Sequence, residues 1–220
     1  MSRSNKNSGK TSNPGFIKNE NGWADFFITR IGLILFAAML LLSAFKVYPM
    51  FHENETRAYL DVTASEIASK IEAVDATTTP EIKYTYVFDG KNKARIEMST
   101  EYVVVRANLT TGLSGERELF HAEPVVTRVY PPNSNWSNTS GLREYISQKI
   151  GRGRNGAPSY PLNLSNDKEK VDGMFKNIST ELARTPFIPD TGRPLIIEKV
   201  IIRYANQTEI AERGYVLVYQ

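Results

Sequence analysis

The apolar run from Ile31 to Phe45, IGLILFAAMLLLSAF, constrains this chain more than any other stretch. It contains no charged residue and is bounded by Arg30 and Lys46. A membrane-spanning helix needs about 20 mostly apolar residues, and long basic side chains can carry their charge out to the headgroups. The sequence therefore predicts a transmembrane helix over residues 26–51. Four side chains are expected at the membrane interfaces: Trp23, Arg30, Lys46 and Tyr48.

Two other interpretations of the run fit less well. A core helix of a soluble domain would show a polar stripe, and the run shows none. A cleaved secretory signal would end in small residues before the cut. Here the run ends in Phe45 and is followed by Lys46, and the segment ahead of it is long. An uncleaved anchor is the prediction.

Charge predicts the orientation of this anchor. Residues 1–30 carry five basic and two acidic side chains, a net charge of +3, which equals the formal charge of the whole chain. Because basic residues stay on the cytoplasmic side, the N-terminus is expected inside and the C-terminal part outside the plasma membrane. The remaining chain is neutral overall, so no nucleic-acid partner is expected.

The chain divides into four predicted segments. Residues 1–25 form a disordered basic cytoplasmic tail, since they hold few apolar side chains. Residues 26–51 form the transmembrane helix, 52–79 a juxtamembrane amphipathic helix, and 80–220 an extracytoplasmic domain. The amphipathic stripe recurs every three or four residues: Leu60, Ala64, Ile67, Ile71 and Val74. It is expected to pack on its own domain or on a neighbouring subunit.

The exterior domain is predicted to be α+β, with a mainly antiparallel β-sheet and two helices. Alternating apolar residues on both sides of Asp89-Gly90-Lys91-Asn92 predict a β-hairpin. Residues 195–205 and 215–219 are apolar on both faces, as in covered central strands. Helices are predicted at 142–150 and 167–184, the second with Ser165 or Asn166 as its N-cap.

Seven N-x-[ST] sequons predict N-glycosylation. All follow the apolar run, and none of the asparagines before it belongs to one. This distribution agrees with an exterior C-terminal part, although chance enrichment in polar loops is the alternative. The predicted glycosylation sites are Asn54, Asn108, Asn135, Asn138, Asn163, Asn177 and Asn206.

Catalytic constellations are scarce in the sequence. There is no cysteine, and the two histidines are His52 and His121, which argues against a Cys/His nucleophile and a histidine-rich metal site. His121 is interpreted as a strand residue. Glu116, Glu118 and Glu123 near it predict either an acidic cluster or a solvated strand edge. No catalytic residue, metal ligand, cofactor or small-molecule substrate is predicted, and the chain is not expected to be an enzyme.

A basic leader, an apolar helix, an amphipathic continuation and then a sheet resemble the layout of archaeal type IV pilin-like surface proteins. The resemblance covers about the first 74 residues. It implies cleavage by a dedicated peptidase between Gly22 and Trp23, with Asp25 as the early acidic residue, and assembly through the freed helix. Asn21 stands where the family has a basic residue, and Arg30 interrupts the apolar run.

The sequence thus favours a membrane-anchored cell-surface protein with a structural or interaction role. Its expected partners are the lipid bilayer and, through the two helical segments, other copies of itself or other surface proteins. The alternative is an anchored extracytoplasmic ligand-binding or sensory domain. Because the tail is short, such a domain would act through a partner.

Overall fold

The computed structural model describes residues 20–79, 82–89, 94–111 and 115–220. It divides into two compact units, Met1–Met50 and Phe51–Gln220. Residues 1–19 of the predicted tail lie outside the described part. The elements in chain order are α1 (Glu20–Ala76), β1 (Lys83–Tyr86), β2 (Arg95–Met98), β3 (Tyr102–Thr111), β4 (Gly115–Pro124), β5 (Val129–Tyr130), α2 (Thr139–Lys149), β6 (Leu162–Asn163), α3 (Lys168–Arg184), β7 (Leu195–Ala205) and β8 (Ile210–Tyr219).

The first unit consists, in its described part, of the N-terminal portion of α1. The helix begins at Glu20, so the last six residues of the predicted tail, 20–25, are helical. Pro49 lies inside the helix near the end of this unit. Within the described residues, α1 is the one helix long and apolar enough to cross a membrane by length and composition. The long apolar N-terminal helix predicted from the sequence is therefore present.

The second unit contains two β-sheets. The larger sheet has the strand order β1-β7-β8-β5, with β6 also paired to β7, and its short β5 and β6 run parallel to their partners. The smaller sheet is antiparallel, in the order β2-β3-β4. With two further helices, α2 and α3, the observed class is α+β, as predicted.

The predicted hairpin around residues 89–92 is wrong. β1 pairs with β7 in the larger sheet, whereas β2 pairs with β3 in the smaller one. Residues 90–93 lie outside the described part. A turn signal acts only locally, but each strand also has to bury its apolar face. Tyr86 of β1 and Met98 of β2 both enter the same core, and they do so from different sheets.

Two hydrophobic cores occupy the two faces of the larger sheet. On one face, Leu195 and Ile197 of β7 join the stripe of α1 and the smaller sheet. On the other face, Val200 and Ile202 join α2 and α3. Since successive side chains of a strand point to opposite faces, β7 needs apolar residues on both. The prediction of a covered strand at 195–205 is confirmed.

The N-termini of α2 and α3 are capped differently. α2 starts at Thr139, and the Asn138 carboxamide accepts a hydrogen bond from the Gly141 amide at 2.9 Å. α3 has Asp167 at its N-cap, without a side-chain capping bond, so the prediction of Ser165 or Asn166 is wrong. Those two amides instead donate to the Asn163 carboxamide, because the chain turns there before the helix starts.

Candidate functional site

The predicted interface side chains lie on the exposed helix of the first unit. Trp23 packs its ring at 5.8 Å from Phe27, and the Arg30 guanidinium lies 4.4 Å from the centre of the Phe26 ring. Lys46 and Tyr48 are exposed near the other end. At about 1.5 Å rise per residue, the two basic residues stand about 24 Å apart and the Trp and Tyr about 38 Å apart. These spacings bracket a hydrocarbon layer of about 30 Å.

Apolar side chains between these ends are exposed on every face of the helix. Phe36 is 61 % exposed and Leu42 is 65 % exposed. Covering a Leu or Phe side chain is worth about 1.5–3 kcal/mol. A surface with so many of them is strongly unfavourable in water, and the described helix between residues 31 and 45 has no polar stripe that could face water. The large exposed apolar residues of this stretch are Phe26, Phe27, Ile28, Ile31, Leu33, Ile34, Leu35, Phe36, Met39, Leu40, Leu41, Leu42, Phe45, Val47, Tyr48, Met50 and, at the start of the second unit, Phe51.

The predicted processing site lies in the first turn of α1. Gly22 and Trp23 are both helical in the uncut chain, and the Trp23 ring is 68 % exposed. A peptidase acting between them would have to unwind this end of the helix. Helix ends fray readily, so the position is compatible with cleavage, which stays a prediction.

The sequon asparagines are distributed over the surface of the second unit. Asn163 is half-buried in β6, and the other six are exposed. Several lie where a glycan would not disturb the backbone. For example, Asn138 caps α2 through its carbonyl oxygen, while a glycan attaches at the nitrogen. The exposed sites are Asn54, Asn108, Asn135, Asn138, Asn177 and Asn206. Their modification stays a prediction.

Asn206 has the most defined surroundings of these sites. It lies in the turn between β7 and β8, and its side-chain oxygen accepts from the amides of Thr208 at 2.9 Å and Glu209 at 2.7 Å. The Thr208 hydroxyl also donates to this oxygen at 3.2 Å. The two functional side chains of the sequon are thus held together on an exposed turn, with the asparagine nitrogen left outside these bonds.

His121 is the centre of a small polar cluster. Its Nε2 lies 3.2 Å from Glu123 Oε2 and 3.2 Å from Asp61 Oδ1. Of the carboxylates expected near it, Glu118 instead lies 3.5 Å from Arg106, and Glu116 is exposed. The cluster therefore contains one of the three glutamates together with Asp61, a residue from α1 that is distant in sequence and was missed for that reason.

A polar cleft of about 510 Å³ lies between the start of α2 and the larger sheet. In its lining, the Glu198 carboxylate accepts hydrogen bonds from Thr139 Oγ1 at 2.5 Å and from the Tyr219 hydroxyl. Burial, and then the neighbouring Glu198, raises the pKa of Tyr219 to about 12. Lys83 and Arg143 line the same cleft. The sequence signal for this cleft is the charged Glu198 within the otherwise mainly apolar β7.

Comparison with protein-family models, with curated proteins and with solved structures found no match.

Proposed function

We propose that this chain is a single-pass membrane-anchored cell-surface protein with a structural or interaction role and no enzymatic activity. One observation carries the proposal: the apolar side chains of residues 26–51 are exposed on every face of α1. The stripe of the same helix from Leu60 to Val74 is buried in its own domain. Only a lipid environment, or neighbouring apolar helices within it, satisfies the first surface.

The orientation is proposed from two sequence signals and supported by the surface of the second unit. The net charge of +3 in residues 1–30 favours a cytoplasmic N-terminus. Six of the seven sequon asparagines are exposed, as glycan acceptors have to be. These signals support our proposal that the second unit is a glycosylated domain outside the plasma membrane.

The sharpest test of this placement is the intact mass of the protein purified from membranes of a host that N-glycosylates exterior proteins. We expect heterogeneous glycan mass that falls by one glycan in Asn206→Gln. Thr208→Ser preserves the sequon and serves as the matched control, so it should keep that glycan. Bare sequons, together with an N-terminal tail that added protease cleaves from outside intact cells, would reverse the orientation.

The proposed role in assembly follows the resemblance to pilin-like proteins. Cleavage between Gly22 and Trp23 would leave the exposed apolar helix at the new N-terminus, free to pack against copies of itself or other surface proteins. N-terminal sequencing of protein from native membranes tests this role. A mature chain that begins at Trp23 supports the role in assembly. An intact tail contradicts that role and leaves a simple membrane anchor.

A ligand-binding or sensory role is the second candidate, and the cleft at Glu198 favours it. The cleft combines the carboxylate with Lys83 and Arg143, which suits a small polar ligand of mixed charge. A ligand of this site should raise the melting temperature of the wild type and should lose that effect in Glu198→Gln. Such a ligand would make the anchored domain a receptor that acts through a partner.

A further inference from the structure

The cluster at His121 is held by two elements whose packing fixes its place. His121 and Glu123 are two residues apart on β4, so both side chains leave the same face of the strand. Leu119 on that face is buried in the core together with Leu60, the neighbour of Asp61 on α1. The core therefore brings the helix carboxylate to the strand imidazole.

A second contact shows that α1 and β4 run side by side over some distance. Arg117 Nη1 lies 3.6 Å from Glu53 Oε1, and His121 Nε2 lies 3.2 Å from Asp61 Oδ1. Eight residues of helix rise about 12 Å, and four residues of strand rise about 13 Å. The matching lengths show that the two elements stay in register between these contacts.

Within the cluster, the three donor atoms have the spacing of metal ligands. Nε2 is 3.2 Å from each carboxylate oxygen, and all three atoms lie within 4.8 Å of one another. Tetrahedral Zn²⁺ with bonds of about 2.0–2.1 Å to nitrogen and oxygen separates its ligands by about 3.3 Å. An ion can therefore enter among these atoms with little movement of the backbone.

Hydrogen bonding alone leaves this arrangement incomplete. Nε2 of an imidazole carries either one hydrogen or one lone pair, so it cannot make two linear hydrogen bonds to two carboxylates. Among the residues that the structure describes, no lysine or arginine lies within 4.0 Å of Asp61 or Glu123. A cation shared by the three groups would satisfy the lone pair of the imidazole and both carboxylates at once.

We propose that Asp61, His121 and Glu123 form a binding site for a divalent transition-metal ion of the Zn²⁺ class, which ties α1 to the edge strand β4. The imidazole favours such ions over Ca²⁺ and Mg²⁺, which prefer oxygen ligands throughout. The side chains of Asp61 and His121 are 59 % and 33 % exposed, so solvent reaches the site. The coordination positions that remain are filled by water or by a donor from another molecule.

The test is calorimetric titration of Zn²⁺, Mn²⁺ and Ca²⁺ into the full-length protein, stripped of metal and held in detergent micelles. One Zn²⁺ per chain is expected, with Mn²⁺ weaker, as its place in the affinity order predicts, and Ca²⁺ weakest. His121→Gln removes the nitrogen ligand and should weaken Zn²⁺ binding by at least about 30-fold. Asp61→Asn and Glu123→Gln should each weaken it as well.

Two matched controls distinguish this site from adventitious binding. His52→Gln removes the other histidine, and Glu116→Gln removes a carboxylate from β4 outside the cluster. Both should bind Zn²⁺ as the wild type does. Equal Zn²⁺ binding by His121→Gln and the wild type, or a loss confined to His52→Gln, would overturn the proposal.

Thermal unfolding provides the second readout and guards against misfolded variants. At free Zn²⁺ about 100 times the dissociation constant, the melting temperature of the wild type should rise by about 5–10 °C. In the presence of a chelator, the melting temperature of His121→Gln should lie near that of the wild type. Added Zn²⁺ should not raise the melting temperature of this variant. A Zn²⁺-induced rise that persists in a folded His121→Gln protein contradicts the assignment.

Discussion

The two portions of α1 share one backbone conformation and expose opposite kinds of surface. In the first unit, Leu40 and Leu42 are more than half exposed, and apolar residues occur on every face of the helix. In the second unit, Ile67 and Ile71 have no exposed surface, and charged residues such as Glu66 and Glu72 occupy the other faces. The difference lies in the distribution of apolar residues around the helix and not in their presence.

That distribution decides what each portion needs as a partner. A single apolar stripe can be covered by packing against one domain. The stripe of residues 60–74 is therefore buried within its own unit. An apolar surface on all faces exceeds what the described chain covers. The proposed membrane anchor supplies the apolar surroundings that this surface lacks within the described chain.

The largest effect is expected from charge in the first portion. Leu35→Arg combined with Leu40→Arg should abolish membrane insertion, because the two changes together cost about 6 kcal/mol at the centre of a spanning helix. Membrane fractionation with alkaline extraction measures the result. Val62→Arg is the matched control, since Val62 is an exposed apolar residue of the second portion, and it should stay with the membrane. Insertion that survives the double change contradicts the anchor.

Shortening a side chain of the buried stripe should lower the stability of the second unit and leave membrane insertion unchanged. Ile67→Ala is expected to destabilise the second unit by about 2–5 kcal/mol, since it removes buried methyl groups and leaves a cavity. Denaturant unfolding in micelles, followed by fluorescence of the buried Trp136 in a Trp23→Phe background, measures this loss. Leu35→Ala is the control in the first portion and should leave the unfolding free energy of the domain unchanged. Equal effects of the two changes would erase the distinction between the portions.

Alkaline pH should destabilise the second unit, both at the contact of Tyr86 with the second portion of α1 and at Tyr219 on the other face of the larger sheet. Burial, and then nearby Glu66, raises the pKa of Tyr86 to about 12, and Tyr219 behaves likewise beside Glu198. Their contribution to stability is complete below the unfolded-state pKa near 10 and is lost as the pH rises through 12. Stability should fall by roughly 1–3 kcal/mol in total.

Denaturant unfolding between pH 9 and 12 measures this loss, with tyrosinate absorbance recorded in parallel. The double variant Tyr86→Phe, Tyr219→Phe lacks both hydroxyls and should show a shallower decline. A decline of the same depth in wild type and variant assigns the alkaline loss to other groups.

The smallest effect is expected at the C-terminal end of α1. Its last turn contains no basic residue, and Lys199 from β7 supplies one. The Lys199 ammonium donates to the Asp75 carbonyl and, at 3.0 Å, to the Thr77 carbonyl. Lys199→Met should cost about 1 kcal/mol of unfolding free energy, since a cation at a helix C-terminus is worth about that much. Lys176→Met on the exposed face of α3 should cost nothing measurable in the same assay.

Elements with strong periodicity or dense apolar content could be predicted from the sequence. β7 occupies the predicted residues, and α3 starts one residue later than predicted. Pairing partners could not be predicted, because a turn signal between β1 and β2 carries no information on the distant strands with which they compete to pair. β6 was missed since its two residues form a strand only beside β7.

The polar sites show the same division. Six sequon asparagines are exposed, although Asn54, Asn108 and Asn177 lie in a helix or strand and not in polar loops, and Asn163 is half-buried in β6. The cleft at Glu198 and the cluster at His121 each combine residues that are about 60 positions apart. No spacing rule links such residues along the chain.

The sequence by itself determined the long apolar helix, its amphipathic continuation and the α+β class, because these depend on which side chains recur within a few residues. Tertiary structure alone decided that β1 and β2 enter different sheets, that Lys199 closes the end of α1, and that Asp61 meets His121. The physical reason is that hydrophobic periodicity is a local property, whereas register and convergence of polar groups depend on how the buried faces of distant segments fit together.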